Sequence, residues 1–167
     1  MFRKILILLL LGTTIISCKK NDDEVQEIKV TEQRRQRDDL IIREYLAANN
    51  LQATKAPSGL YYNISSVGSG DILRSQDTVV SNYRVSIMYG KQVDNSYVTG
   101  RPYTLVMGDT KAIIGFAEAV SMLRPFGKGV FYLPSYLAYG AQGQGPVPPN
   151  SILIYEVEIA QVRRKKL

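Results

Sequence analysis

The sequence has no histidine and no tryptophan, and its one cysteine is Cys18. Without histidine the chain cannot build a histidine-dependent catalytic triad or the usual zinc site. A single cysteine excludes a framework of disulfides within the chain. The glycine motifs that bind phosphates and dinucleotides are also absent. An enzyme made of these residues therefore works by shape, desolvation and hydrogen bonding, without a metal or a cofactor.

The first residues have the pattern of a bacterial secretion signal. The range 1–4 is basic, and the apolar range 5–11 is too short to span a bilayer as a helix. The segment ends in Ile-Ile-Ser-Cys, which resembles a lipobox, where the cysteine is acylated. We predict a signal peptide over 1–17, a lipid on Cys18, and a cell-envelope lipoprotein of the outer membrane. The alternative is a signal peptide cleaved elsewhere, with Cys18 incidental.

The rest of the chain divides by composition. The range 18–30 is polar and predicts a flexible tether. The range 31–57 predicts a helical extension, because Leu40, Ile41, Tyr45 and Leu46 recur at helical spacing. This apolar stripe must dock on the main domain or on another copy. We expect docking within one chain, and a monomer.

The main domain, 58–163, precedes a basic tail, 164–167. The tail is either a solvated end or a segment that favours anionic lipid head groups. The net charge of +6 carries no sign of a nucleic-acid partner.

Within the main domain the hydrophobic period changes to two, which predicts strands. One short helix is predicted by the spacing of Phe116, Ala119, Val120 and Leu123. The expected fold class is α+β, with an antiparallel sheet wrapped around one short helix and an N-terminal helical extension. The predicted strands are 60–64, 79–87, 103–107, 130–133 and 152–159.

The loop 134–151 is long for a connection between two strands, and such loops are often binding loops or lids. It combines glycines and prolines with Tyr136 and Tyr139, so its backbone is partly preset and can hold an apolar surface against a ligand. The alternative is an ordinary surface loop.

A set of short motifs follows one order along this domain. The motifs are Leu-Ala-Tyr-Gly at 137–140, Pro-Pro-Asn-Ser at 148–151, the strand from Leu153 to Ile159, Tyr83, the range 90–96, Arg-Pro-Tyr at 101–103, and the range 113–120. In this order and at about this spacing they resemble the FKBP-type peptidyl-prolyl isomerases. The likeness covers about 58–162 and extends loosely to the lipoprotein isomerases associated with gliding motility.

The resemblance implies prolyl isomerisation of proline-containing polypeptides and a set of site residues. It implies catalytic roles for Tyr83, Asp94 and Tyr139, the last two beside carbonyl groups of the substrate. It implies that Ile113 offers its backbone amide to the peptide and that Phe116 forms the pocket floor. The remaining substrate-binding residues implied are Val93, Leu105, Ala112, Val147 and Tyr155.

Each of these residues also has a purely structural interpretation. Phe116 and Tyr155 would be buried in any fold of this pattern. Tyr83 fits an ordinary strand, and Asp94 fits a turn. Tyr139 has no evident packing role.

The chain departs from the family pattern at Val93 and Leu105, where the family has aromatic residues, and at Phe116, where it has tryptophan. Fewer aromatic faces predict a looser pocket and weaker turnover. Two alternatives to an isomerase remain: a chaperone or assembly module of the same fold with little catalysis, and a structural lipoprotein that tethers envelope layers.

Overall fold

The computed structural model describes residues 19–165, and the chain divides into two units, Met1–Glu32 and Gln33–Leu167. Helix α1 is Lys19–Ala48. The chain is already helical at Lys19, the first described residue, and not only from Thr31, so the predicted flexible tether is helical from Lys19 to Val30. This segment contains no glycine or proline to interrupt a helix. The predicted signal peptide and Cys18 lie outside the described residues. None of the helices between residues 19 and 165 has the length and hydropathy needed to cross a membrane.

The second unit contains one antiparallel sheet and two further α-helices. Helix α2 is Ser96–Thr99 and helix α3 is Ile114–Ser121. The strands are β1 Thr54–Lys55, β2 Tyr61–Ser66, β3 Thr78–Ile87, β4 Gln92–Asn95, β5 Tyr103–Val106, β6 Lys128–Leu133 and β7 Leu153–Arg163.

The strand order is β1-β2-β6-β7-β3-β4, and β5 also pairs with β3. Strand β3 therefore has β7 along one side, and β4 and β5 share its other side. Helix α2 fills the gap between β4 and β5. Asn95 caps it, because its side-chain oxygen accepts a hydrogen bond from the Tyr97 amide at 3.0 Å.

One face of the sheet packs on α3 and forms the main core. Phe116, Ala119, Val120 and Leu123 are all buried there, in the helical repeat predicted from the sequence. Gly115 allows α3 to approach β6 closely, since an added Cβ would lie 2.7 Å from Leu133 Cγ.

The opposite face of the sheet is covered by the second half of α1. Ile42 and Leu46 form a smaller core with Tyr61, Tyr132 and Ile152. Neighbouring residues of β6 divide between the two cores as strand alternation requires: Phe131 belongs to the first and Tyr132 to the second. Of the predicted apolar stripe, Leu46 is buried against the sheet and Ile41 and Tyr45 are partly buried there, whereas Leu40 is 48% exposed and is corrected: Ile42, at 0% exposure, takes its place in this core.

The α+β prediction is confirmed, with shifts at the ends of elements. Helix α3 starts at Ile114, before Phe116, and β7 continues to Arg163. The sequence did not predict β1, β4 or α2, because segments of two to four residues are too short to show a hydrophobic period.

Candidate active site

A cavity of about 550 Å³ opens on the α3 face of the sheet. Its size is within the usual range for ligand pockets, about 300–1,000 Å³. Its wall is contributed by β3, β4, β5, β7, the N-terminal end of α3 and the loop 134–151. The sheet supplies rigid walls, and the loop supplies the rim.

A tyrosine and a carboxylate form one wall. The Tyr83 hydroxyl of β3 donates a hydrogen bond to Asp94 Oδ2 of β4. The other oxygen, Oδ1, accepts from the Asn95 backbone amide at 2.7 Å. Ser96 ties the turn after β4 to β3, since its hydroxyl oxygen accepts from the Tyr83 amide at 2.8 Å. Both oxygens of the exposed Asp94 are therefore held in place before any ligand binds.

Phe116 lies at the bottom, 5% exposed, with aromatic rings on three sides. Its ring centroid is 5.3 Å from those of Tyr103 and Tyr155 and 6.3 Å from that of Tyr83. These separations and tilts are typical of favourable aromatic pairs. The floor is therefore an apolar slot with rigid sides, suited to a small non-planar ring.

The loop 134–151 is held by its own backbone hydrogen bonds. The Gly140 amide donates to Ser135 O at 2.9 Å, and the Asn150 amide donates to Gly140 O at 2.7 Å. Gln144 and Val147 exchange two bonds of 2.9 Å at the tip. Gly143 has φ +68°, and an added Cβ would lie 2.5 Å from Val147 O, so the tip requires glycine there. This order places Tyr139 and Val147 at the cavity.

The Ile113 amide is an unused donor on the cavity wall. Ile113 precedes α3, with φ −60° and ψ 142°, and its carbonyl accepts from the Phe116 and Ala117 amides at 3.1 Å. Its own N–H group has no acceptor among residues 19–165. The first N–H groups of a helix commonly bind groups from outside it.

Two phenols of the cavity are stabilised in the neutral form. Burial and the hydrogen bond to Asp94 raise the pKa of Tyr83. Burial, together with the neighbouring Tyr139 hydroxyl, raises the pKa of Tyr155. Near neutral pH both remain uncharged hydrogen-bond donors.

Every candidate residue of the catalytic and substrate-binding sets except Leu105 lines this one cavity: Tyr83, Val93, Asp94, Ala112, Ile113, Phe116, Tyr139, Val147 and Tyr155. Leu105 is instead in the main core, 3% exposed. Tyr103, two residues earlier on the same face of β5, lines the cavity in its place. The placement of Leu105 in the pocket wall is thus corrected, and the wall keeps an aromatic residue there.

Sequence reasoning missed other lining residues, including Val85, Lys111 and Leu153. The alternation of β3 and β7 places Val85 and Leu153 on the same face as Tyr83 and Tyr155, so that signal was present. No sequence pattern indicated Lys111, because it belongs to an irregular segment before α3. Among residues 19–165, no cluster of three or more acidic residues suits a metal ion.

Comparison with known proteins agrees with this geometry. Residues 70–160 match the family model described as FKBP-type peptidyl-prolyl cis-trans isomerase. The chain is 36% identical over 106 residues to the FKBP-type isomerase FkpA of Escherichia coli K12, covering 64% of this chain and 38% of that protein. It is 34% identical over 137 residues to a probable FKBP-type isomerase of Haemophilus influenzae, covering 81% of this chain and 55% of the relative.

Solved structures show the same likeness. The crystal structure of Escherichia coli FkpA aligns with a TM-score of 0.67 and 27% identity, over 89% of this chain and 74% of that one. The crystal structure of AtFKBP13 aligns with a TM-score of 0.61 and 27% identity, over 66% of this chain and 98% of that one. The chain spans about two fifths to just over half of the curated relatives' lengths. Residues 70–160, which match the family model, form more than half of the chain. This chain therefore belongs to the FKBP-type peptidyl-prolyl cis-trans isomerase family.

Proposed function

We propose that this protein is a peptidyl-prolyl cis-trans isomerase acting on proline-containing polypeptides of the cell envelope. The observation that carries the proposal is the single cavity that joins an aromatic floor at Phe116 to the polar groups of Asp94, Ile113 and Tyr139. An apolar slot beside a few oriented polar groups is what rotation about a prolyl bond requires.

The reaction breaks no bond. The barrier to rotation is about 18–20 kcal/mol, because resonance gives the C–N bond partial double-bond character. The planar amide is more dipolar than the twisted one, so a cavity of low polarity favours the twisted state. Phe116, Tyr103 and Tyr155 supply such surroundings for the proline ring.

Hydrogen bonds that match the rotated carbonyl lower the barrier further. In the proposed complex the Ile113 amide and the Tyr139 hydroxyl donate to substrate carbonyl groups, while Asp94 lies beside the carbonyl that rotates. Tyr83 holds the Asp94 carboxylate in position. A millionfold acceleration needs only about 8 kcal/mol, which several such contacts together supply.

A protease-coupled assay on peptides containing Leu-Pro or Phe-Pro tests the activity. We expect acceleration that Asp94→Leu and Tyr139→Phe both reduce. A rate equal to the uncatalysed one at high protein concentration would reject the proposal.

The small side chain of Val93 in the cavity wall favours a second function, a chaperone or assembly module with little catalysis. It lines the cavity where a larger side chain would narrow it. The same two substitutions separate the functions: a cellular phenotype that survives both Asp94→Leu and Tyr139→Phe would favour the binding module.

We also propose that the protein is a lipoprotein anchored through acyl chains on Cys18, in the outer membrane. The support is the sequence alone: a basic start, a short apolar segment and Ile-Ile-Ser-Cys at 15–18. Stable anchoring takes two lipid signals, which multiple acylation of one cysteine provides. Mass spectrometry of the N-terminal peptide tests this, and Cys18→Ser should release the protein from washed membranes; an unmodified Cys18 would contradict it.

A monomer is proposed as well. Its support is that Ile42 and Leu46 are already covered by their own sheet. Light scattering after gel filtration measures the mass directly, and a dimer would contradict the proposal.

A further inference from the structure

We propose that Asp38, on the far side of the sheet from the cavity, is a positioning residue for the loop that carries Tyr139. This inference rests on the proposed function, because its consequence is measured in isomerisation. The connection runs from α1 through Ser135 to Gly140.

Asp38 is fully buried, at 0% exposure, although its side chain is acidic. Its Oδ2 atom accepts two hydrogen bonds from one residue: from the Ser135 amide at 2.8 Å and from the Ser135 hydroxyl at 2.6 Å. The two residues are 97 positions apart in the chain. The carboxylate thus joins the helical extension to the first turn of the loop 134–151.

Simple packing of a helix on a sheet does not require this carboxylate. Ile42 and Leu46, on the same helix, cover the sheet with apolar side chains and bury no polar side-chain atom. Asp38 instead buries a second oxygen, Oδ1, which has no hydrogen-bond partner among the described residues. Burial of an incompletely paired carboxylate is unfavourable. The interaction that offsets this burial is a pair of strong hydrogen bonds, both donated by Ser135.

Ser135 is the point from which the loop is held. Its carbonyl accepts from the Ala138 amide at 3.1 Å and from the Gly140 amide at 2.9 Å. Gly140 O accepts in turn from the Asn150 amide at 2.7 Å, which joins the two ends of the loop. Tyr139 lies between the residues that this network fixes. Freeing Ser135 therefore frees the backbone on both sides of Tyr139.

A second contact between α1 and the loop acts on the adjacent residue. The Arg35 guanidinium carbon lies 4.9 Å from the centroid of the Tyr136 ring. The Tyr136 hydroxyl donates to Ser58 O at 2.9 Å, so this ring is held from two sides. Helix α1 thus holds two successive residues of the loop, and neither belongs to the cavity wall.

The test uses the purified full chain and four substitutions. Asp38→Ala removes both bonds to Ser135, whereas Asp38→Asn keeps an oxygen that can accept them. Ser135→Ala removes only the hydroxyl bond and remains informative if Asp38→Ala does not fold. The control is Asp39→Asn: Asp39 is the next residue of α1, but it bonds the Tyr61 hydroxyl at 2.7 Å and Lys55 at 2.5 Å, and not the loop.

Two measurements are made on each variant. The first is kcat and KM for a proline peptide. The second is amide hydrogen exchange without substrate at Gly140 and Asn150, with Val157 of β7 as the internal reference. Exchange reports the anchoring whether or not the protein is an isomerase, so failure of the proposed function and failure of this inference give different results.

For Asp38→Ala we expect kcat to fall about tenfold, since a lost charge-assisted bond typically has an effect of that order. KM should change about twofold at most, because the aromatic floor is untouched. Exchange at Gly140 and Asn150 should quicken about tenfold relative to Val157. Ser135→Ala should act in the same direction but less, and Asp38→Asn should fall between wild type and Asp38→Ala in both measurements, because it keeps an acceptor for Ser135 but loses the charge.

Unchanged exchange at Gly140 and Asn150 in folded Asp38→Ala or Ser135→Ala would overturn the inference. So would equal losses of kcat in Asp39→Asn, because the effect would then be a general loosening of α1. An inactive wild-type protein would reject the proposed function, and the exchange result alone would then decide whether Asp38 anchors the loop.

Discussion

Removal of one hydroxyl group tests how the cavity holds its carboxylate. Tyr83→Phe keeps the ring that packs at 6.3 Å from Phe116 and at 6.2 Å from Tyr155, so the aromatic slot is preserved. It deletes the hydrogen bond to Asp94 Oδ2. Asp94 then keeps only the bond from the Asn95 amide and can rotate away from the substrate.

The expected magnitude follows from the exposure of the pair. Hydrogen bonds to charged groups contribute about 1.5–3 kcal/mol, but Asp94 is exposed and water replaces part of that. We therefore expect a loss of about 1 kcal/mol of transition-state stabilisation, or about fivefold in kcat/KM. The melting temperature should fall by only a few degrees, which is the shift expected when the free energy of unfolding changes by about 1 kcal/mol.

The assay is a double-mutant cycle with Asp94→Asn, measured with a Phe-Pro peptide. If the Tyr83 hydroxyl acts only through Asp94, the double variant should be no slower than Asp94→Asn alone. Tyr103→Phe is the control, because Tyr103 is in the same aromatic cluster and its hydroxyl has no hydrogen-bond partner among residues 19–165. Additive losses in the cycle, or an equal loss in Tyr103→Phe, would refute this account of the cavity.

Three further outcomes are expected. Ile42→Ala should lower the free energy of unfolding by about 2–5 kcal/mol, since Ile42 is 0% exposed between α1 and the sheet. Chemical denaturation measures this free energy. A change under about 1 kcal/mol would mean that α1 does not pack on the sheet at Ile42. The value of kcat/KM should not change from about pH 6 to pH 9. The reason is that the chain has no histidine and that the cavity phenols of Tyr83 and Tyr155 have raised pKa values. A change in kcat/KM centred near pH 7 would contradict this. Burial opposes the Asp77 charge, but the Arg74 amide and the Arg164 guanidinium outweigh it and keep the pKa of Asp77 below its usual value. That carboxylate therefore stabilises the fold above about pH 4, and the contribution is lost as pH falls through its lower folded pKa. The difference in melting temperature between wild type and Arg164→Met should accordingly be present at neutral pH and shrink in acid, and a difference independent of pH would exclude the ion pair as its cause.

Local patterns in the sequence were sufficient for the main elements. The period-two runs of β3 and β7 and the helical repeat from Phe116 to Leu123 predict structure because burial on one face imposes each period. Segments that are shorter, or that depend on caps, were missed. Helix α2 exists because Asn95 caps it and Ser96 bonds to β3, and neither interaction has a periodic signal.

The site was predicted by motif order, and the misplacement of Leu105 shows the limit of that method. Tyr103 and Leu105 are on the same face of β5, so strand alternation cannot tell which of them reaches the cavity. The decision is made by the position of Phe116 across the fold, whose ring packs on Tyr103.

The sequence by itself determined the chemistry open to this protein, the fold class and most of the residues that meet at the cavity. The chemistry and the fold class follow from residue types and short-range periodicity, which are local properties of the chain, and the cavity residues were implied by the resemblance of its motifs to a known family. Tertiary structure alone decided that Asp94 is held by Tyr83, that the Ile113 amide has no acceptor within the described part of the chain, and that Asp38 bonds to Ser135. Each of these depends on atoms brought together by long-range packing, and no local pattern records which distant residues will meet.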